Sequence, residues 1–134
     1  MMGGEKMTDE LQILVVDDNP DICLAVQAVL EDEPWVVLTA SGGEECIHIL
    51  EKGFSGLILL DIMMPDMNGW ETIREIANRD LYHHISICML TAMDNPDEGM
   101  LGIEKYVNDY ITKPITPDLL IELIRLWMEN IPDT

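Results

Sequence analysis

Basic residues are scarce in this sequence. The 134 residues include 7 Lys plus Arg against 26 Asp plus Glu, which gives a formal net charge of −19. Such an excess of negative charge repels nucleic-acid phosphates and anionic lipid headgroups, so we expect no direct nucleic-acid binding and no membrane binding. The composition favours cations or other proteins as partners.

Long apolar runs, a secretory leader and regularly paired cysteines are also missing. No run approaches the ~20 apolar residues of a membrane-spanning helix, and Glu5 and Asp9 interrupt the N-terminal stretch where a signal sequence would be apolar. Cys23, Cys46 and Cys88 are odd in number, far apart and embedded in apolar segments. These features predict a cytoplasmic domain whose cysteines are buried free thiols.

Five short apolar runs are present, and segments with helical spacing lie between and after them. The runs are rich in Ile, Val and Leu without polar alternation, as is typical of strands that are covered on both faces. Alternating strands and helices predict one α/β domain with a doubly wound parallel sheet, five helices and right-handed crossovers. The runs span residues 12–16, 35–40, 57–60, 85–90 and 110–112.

Several helix starts can be recognised from capping residues. Asn19 and Thr116 each precede a proline that would occupy the first helical position. Ser41 with Glu44 has the spacing of a capping box, and Asn68 with Glu71 has a looser version. A further helix is predicted over residues 96–105, although its two glycines weaken it.

Polar residues follow four of the five predicted strands. They are Asp17, Asp18, Asp61, Thr91 and Lys113. Each alone has an ordinary structural explanation, as a turn residue, a helix cap or a surface charge. Because ligands of open parallel sheets bind outside the carboxyl ends of the strands, together they predict a site at that edge.

The residue types at this edge indicate phosphoryl transfer. Three crowded carboxylates need a cation, and all-oxygen ligands without His or Cys favour Mg²⁺ over zinc. A metal and the ammonium of Lys113 would neutralise phosphoryl oxygens while a carboxylate attacks. We predict Asp61 as the nucleophile from its position after the central strand, and Asp17 and Asp18 as metal ligands.

Four sequence motifs resemble the receiver domain of two-component response regulators. They are the segments Val-Val-Asp-Asp-Asn at 15–19, Leu-Leu-Asp-Ile-Met-Met-Pro-Asp-Met-Asn-Gly at 59–69, Leu-Thr-Ala at 90–92 and Asp-Tyr-Ile-Thr-Lys-Pro at 109–114. The resemblance implies a flavodoxin-like three-layer sandwich with strand order 2-1-3-4-5. The receiver would cover residues 11–130, with tails at 1–10 and 131–134.

The resemblance also implies a role for each site residue. Asp61 would accept a phosphoryl group from the phosphohistidine of a sensor histidine kinase or a histidine phosphotransfer protein. Asp17 or Asp18, Asp61 and the backbone carbonyl of Met63 would bind Mg²⁺. The remaining roles fall to Thr91 and the Ala92 amide as phosphoryl contacts, Lys113 as the phosphoryl counter-ion, Pro114 in a cis peptide and Tyr110 as an aromatic switch.

The expected output surface comprises the 96–105 helix, the fifth strand and the last helix, through which an output protein or a second copy would bind. Tyr106 and Val107 depart there from the small residues usual in the family. Two alternatives remain. One is a Mg²⁺-dependent aspartyl-phosphate phosphohydrolase, which would need an acid where Met63 stands. The other is a degenerate docking receiver, which the intact site residues disfavour. We therefore predict a phosphoacceptor rather than an enzyme that turns over external substrates.

Overall fold

The computed structural model describes residues 12–91, 104–113 and 116–129. Five strands alternate with helices along these ranges. In chain order they are β1 Gln12–Val16, α1 Pro20–Val29, β2 Val36–Ala40, α2 Gly43–Glu51, β3 Gly56–Asp61, α3 Gly69–Asn78, β4 Ile85–Thr91, β5 Asp109–Thr112 and α4 Pro117–Met128. The described part of the chain contains no helix with the length and hydropathy that crossing a membrane requires.

The five strands form one parallel sheet in the order β2-β1-β3-β4-β5. The predicted flavodoxin-like fold is confirmed. One core cluster joins the sheet to Ile47 of α2 and Ile73 of α3, and the other joins it to Val26 of α1 and Leu120 of α4. Helices therefore cover both faces, and the sheet is the middle of three layers.

Burial differs between the centre and the edges of the sheet. Every residue of β3 is buried, as a strand covered on both faces should be. The edge strand β2 is buried only at Ala40, and β5 only at Ile111. The three cysteines are buried free thiols, as predicted.

The helix starts confirm two of the four capping predictions, and Thr116 occupies the N-cap of α4 before Pro117 but makes no side-chain cap hydrogen bond. Asn19 caps α1 by accepting a hydrogen bond from the Asp21 backbone N–H, and Asn68 forms a full reciprocal capping box with Glu71. The Ser41 prediction was wrong, because the N-cap of α2 is Gly42, which offers no side chain. The Ser41 amide and hydroxyl instead donate to Glu45 at 2.8 and 2.9 Å.

The helix predicted over residues 96–105 lies largely outside the described residues. Only its last two positions fall within them, in a short 3-10 turn over Glu104–Tyr106. The described ranges accordingly contain four α-helices. The chain enters β5 through Asn108, which accepts from the Ile87 amide with its side chain and donates to the Ile87 carbonyl with its backbone.

Removing the α3 cap tests how much local capping contributes to this fold. Asn68→Ala deletes the acceptor for the Glu71 amide, so we expect the free energy of unfolding to fall by about 1 kcal/mol. Urea denaturation followed by circular dichroism measures the change. The exposed Asn78, at the end of the same helix, supplies the control, since Asn78→Ala should leave the midpoint nearly unchanged. Equal losses in both variants would contradict a capping role.

Candidate functional site

The end of β1 places two carboxylates at the carboxyl edge of the sheet. Asp17 is 2% exposed, and its backbone amide donates to the Ala40 carbonyl at 3.1 Å, which extends the pairing with β2. Asp18 follows it and is exposed. The Asn19 amide donates to Asp17 Oδ1 at 2.9 Å and fixes the orientation of that carboxylate.

Asp61 ends the central strand β3 and is 4% exposed. The Met63 backbone N–H donates to its carboxylate. The next residue along the chain, Ile62, donates its amide to the Leu90 carbonyl at 3.2 Å, so the strand pairing with β4 continues just past Asp61. Asp61 is thus held by the sheet on one side and by the following loop on the other.

The loop after Asp61 returns closely over the strand end, and this close approach requires Gly69. A Cβ at that position would lie 2.6 Å from the Asp61 carbonyl oxygen and 2.9 Å from Ile62 Cα. Both of those atoms belong to the backbone and cannot move aside. Any side chain at position 69 would therefore displace the loop that orients Asp61.

Lys113, immediately after β5, connects two of the carboxylates. Its Nζ lies 3.2 Å from Asp17 Oδ2 and 3.3 Å from Asp61 Oδ1. The two carboxylates are almost completely buried, whereas a quarter of the lysine side chain is exposed. One ammonium thus compensates part of the negative charge of two buried acids.

The charges of this cluster are unevenly balanced. Burial and the neighbouring Asp17 carboxylate raise the pKa of Asp61, although the Lys113 ammonium acts in the opposite direction. Burial lowers the pKa of Lys113, but the attraction of Asp61 and Asp17 outweighs it, so that this pKa is raised overall. Lys113 therefore stays charged at neutral pH, while Asp61 ionises at a higher pH than an ordinary aspartate.

The donor set fits a hard divalent cation. Asp17, Asp18 and Asp61 each offer one carboxylate oxygen, and these oxygens lie within 4.8 Å of one another. Three acids with one lysine leave a net negative site, which a cation would neutralise. Oxygen ligands alone suit Mg²⁺, which keeps part of its water shell when it binds few carboxylates.

Comparison with known proteins identifies the family. The family model for the response regulator receiver domain matches residues 13–125. This chain belongs to that family. Among solved structures, a CheY-like receiver domain protein from Methanospirillum hungatei JF-1 superimposes with a TM-score of 0.84 at 45% identity, covering 89% of this chain and 94% of that one.

Curated relatives differ in how much of their length the receiver occupies. An uncharacterized 14.6 kDa protein from the sodA1 3' region of Leptolyngbya boryana is 34% identical, over 92% of this chain and 94% of its own length. The alkaline phosphatase synthesis regulator PhoP of Bacillus subtilis is 40% identical over 79% of this chain but only 43% of its own. The chain thus spans less than half of that regulator.

The structure describes only some of the remaining predicted site residues. The backbone of Thr91 lies at the end of β4, where it pairs with Thr112, one position beyond the residue that pairs with Asp61. Tyr110 is partly buried against the core beneath α2 and α3. Ala92 and Pro114 lie outside the described residues. The Met63 side chain is 67% exposed.

Sequence patterns missed two supporting residues of this receiver. The Cys23 thiol, on the buried side of α1, contacts the Asp17 carbonyl oxygen at 3.6 Å. Asn19 was identified only as a helix cap, yet its backbone N–H also holds the Asp17 carboxylate. An Asp-x-Asn spacing before a helix proline could have indicated that second role, whereas nothing in the helical spacing of Cys23 distinguishes it from ordinary core.

Tyr106 is partly buried and packs back onto the domain. Its ring centroid lies 5.0 Å from that of Tyr82, at an interplanar angle of 60°, and the Lys105 ammonium lies 5.3 Å from the Tyr106 centroid. Part of this large side chain is thus used to join the segment before β5 to the loop before β4. The packing resembles core extension more than a free recognition side chain.

Proposed function

We propose that this receiver domain is a phosphoacceptor of a two-component phosphorelay, in which Asp61 takes a phosphoryl group from a phosphohistidine. The observation that carries this proposal is the position of Lys113 Nζ, 3.3 Å from the buried Asp61 carboxylate. A buried acid beside a partly exposed lysine that already contacts a second acid is suited to bind a transferred phosphoryl group, because the ammonium can neutralise the new negative charge.

Each site residue would have its own role in the phosphoryl transfer. An oxygen of Asp61 would attack phosphorus, forming the acyl phosphate P–O bond while the P–N bond to the donor imidazole breaks and its electron pair returns to the ring. Lys113 would neutralise charge on the phosphoryl oxygens, and Asn19 and Met63 would hold the carboxylates in place through their backbone amides. Mg²⁺ held by Asp17, Asp18 and Asp61 would supply further charge neutralisation.

The other roles carried over from the family remain parts of this proposal. The Met63 carbonyl would be a metal ligand, the Thr91 hydroxyl and Ala92 amide would contact the phosphoryl group, and Tyr110 would report its arrival to the output face. Because Met63 occupies the position at which a phosphohydrolase carries its acid, and a thioether cannot donate a proton, we propose no turnover of external substrates. The cytoplasmic location likewise stays a prediction.

Incubation with acetyl phosphate tests the proposal directly. With Mg²⁺ present, the protein should gain one phosphoryl mass that hydroxylamine removes, as an acyl phosphate requires. Chelation of Mg²⁺ should prevent the gain. A hydroxylamine-stable modification, or one that peptide mapping places on a Ser or His, would overturn the proposal.

A groove beside Lys113 offers a place for the donor protein. It has a volume of about 500 Å³ and lies between α1 and α4. Apart from the Lys113 stem its walls are apolar, and exposed Leu24 and Leu119 lie on the same two helices. Exposed Asp21 and Asp118 add negative charge at the helix starts. These features suit a donor surface with an apolar ridge and basic neighbours.

Substitutions at two alanines of α1 test docking of the donor protein separately from phosphoryl transfer. Ala25 lines this groove and is exposed, so Ala25→Glu should lower the rate of phosphotransfer from a phosphorylated histidine kinase several-fold, because a carboxylate would enter the apolar contact. Labelling by acetyl phosphate should stay unchanged, since that donor needs no docking. Ala28→Glu, one turn further and outside the groove, is the matched control. A parallel loss with both donors would contradict a docking role.

A further inference from the structure

The strand β2 is an open edge of the sheet. It pairs with β1 on one side, and no described strand lies on the other. Natural edge strands are usually blocked by charged residues, proline or bulges. The five residues Val36–Ala40 include none of these, and three of them are half exposed.

Grooves flank this edge on both faces of the sheet. On the α1 face, Trp35 and Val37 line a groove of about 370 Å³ that reaches Glu31. On the α2 face, Leu38 and Phe54 line another of about 300 Å³. Val37 and Leu38 are consecutive and point to opposite faces. Alternate side chains of a strand added at this edge would therefore enter one groove and then the other.

Charge distinguishes the two grooves. Residues 7–51 contain no Lys or Arg. Exposed Glu31 lines the α1-side groove, and no basic residue of that stretch can pair with it. Glu33 nearby is already paired with Arg125 at 3.0 Å. A long basic side chain could lay its aliphatic stem against Trp35 and reach the Glu31 carboxylate with its charged end. The α2-side groove is lined by Leu38 and Phe54 and also by exposed Lys52, whose charge disfavours a basic side chain, so this groove suits an apolar one.

We propose that β2 is a docking edge for an extended segment of a partner protein, in which basic and apolar residues alternate, and that this segment adds a sixth strand to the sheet. Backbone hydrogen bonds would supply binding energy, and the two grooves would supply specificity. A second copy of the chain is a poorer occupant, because two molecules of net charge −19 repel each other.

A short synthetic peptide of alternating arginine and leucine is the probe. Titration calorimetry with the full chain should detect binding, and hydrogen exchange should show new protection at β2 amides. Peptides with glutamate replacing arginine, or with a central proline that removes a backbone donor, should bind at least about ten-fold more weakly. Protection confined to the groove between α1 and α4, or equal binding of the glutamate peptide, would overturn the proposal.

Variants locate the contact. Glu31→Lys should weaken the peptide about three- to five-fold, as expected for one exposed ion pair. Asp109→Lys makes the same charge change at the opposite sheet edge and should have little effect. Leu38→Ala should weaken binding about ten-fold while urea denaturation verifies that it folds. β2 protection that rises with protein concentration alone, with a doubled mass in light scattering, would replace the partner by a second copy and refute the assignment.

Discussion

Replacing Asp61 by Asn is expected to remove all acyl phosphate formation while leaving the fold intact. The amide of Asn has the shape of the carboxylate but cannot attack phosphorus, and Lys113 would keep its second partner, Asp17, at 3.2 Å. Intact mass after incubation with acetyl phosphate and Mg²⁺ measures the loss. The expected result is no hydroxylamine-labile phosphoryl group under conditions that label the wild type.

Asp66→Asn supplies the matched control. Asp66 lies in the loop after Asp61 with a φ of 66°, a conformation that Asn adopts as readily as Asp, so the substitution removes one negative charge without straining the backbone. Its labelling should equal that of the wild type. Full labelling of Asp61→Asn at another carboxylate, or equal impairment of both variants, would show that Asp61 is not the acceptor.

Asp61→Asn should also stabilise the metal-free protein at neutral pH. The pKa of Asp61 is raised by burial and by Asp17, so the folded state binds this proton more tightly than the unfolded state does. Ionised Asp61 therefore costs stability at a pH above its raised folded pKa, and this cost declines as the pH falls from that pKa towards 3.8, the ordinary aspartate value. Asp61→Asn should raise the free energy of unfolding by about 1 kcal/mol, a size usual when a strained functional site is relieved. Urea denaturation should show this as a higher midpoint.

The assembly of the site follows from the parallel sheet, which the alternation of apolar runs and helical segments predicts, whereas the strand order was implied by the resemblance to receiver domains. Lys113 and Asp17 are 96 positions apart, yet each directly follows a strand that the sequence predicts. Parallel strands with right-handed crossovers must bring such positions to one edge. Residue type then indicates the chemistry, because carboxylates and an ammonium at one edge have few other uses.

Features that depend on which side of a strand is covered could not be predicted from sequence alone. The run 35–40 is as apolar as the central strands, but β2 is an edge and half exposed, because coverage is set by sheet order rather than composition. The α2 start failed for a local reason. Two consecutive glycines leave the cap position without a side chain, so Ser41 bonds Glu45 instead of Glu44.

The second large effect expected is on Mg²⁺ affinity. Asp17→Asn and Asp18→Asn each remove one of three carboxylate ligands, so each should weaken Mg²⁺ binding at least about ten-fold. Tryptophan fluorescence offers the readout, since Trp70 follows Gly69 where the loop crosses behind Asp61. Exposed Asp21 is not one of the three clustered carboxylates and provides the control. Asp21→Asn should bind Mg²⁺ as the wild type does.

The pH dependence of that affinity has a defined sign. Mg²⁺ needs the ionised carboxylates, and the raised pKa of Asp61 means that protons begin to compete above 3.8, the ordinary aspartate value. Affinity should therefore fall as the pH falls, and binding in this range should release protons. In Asp61→Asn the onset should move to lower pH, because the group with the raised pKa is gone. Affinity that is unchanged by acid, or by both Asp17→Asn and Asp18→Asn, would mean that the acidic pair does not bind the metal and that the metal binds elsewhere.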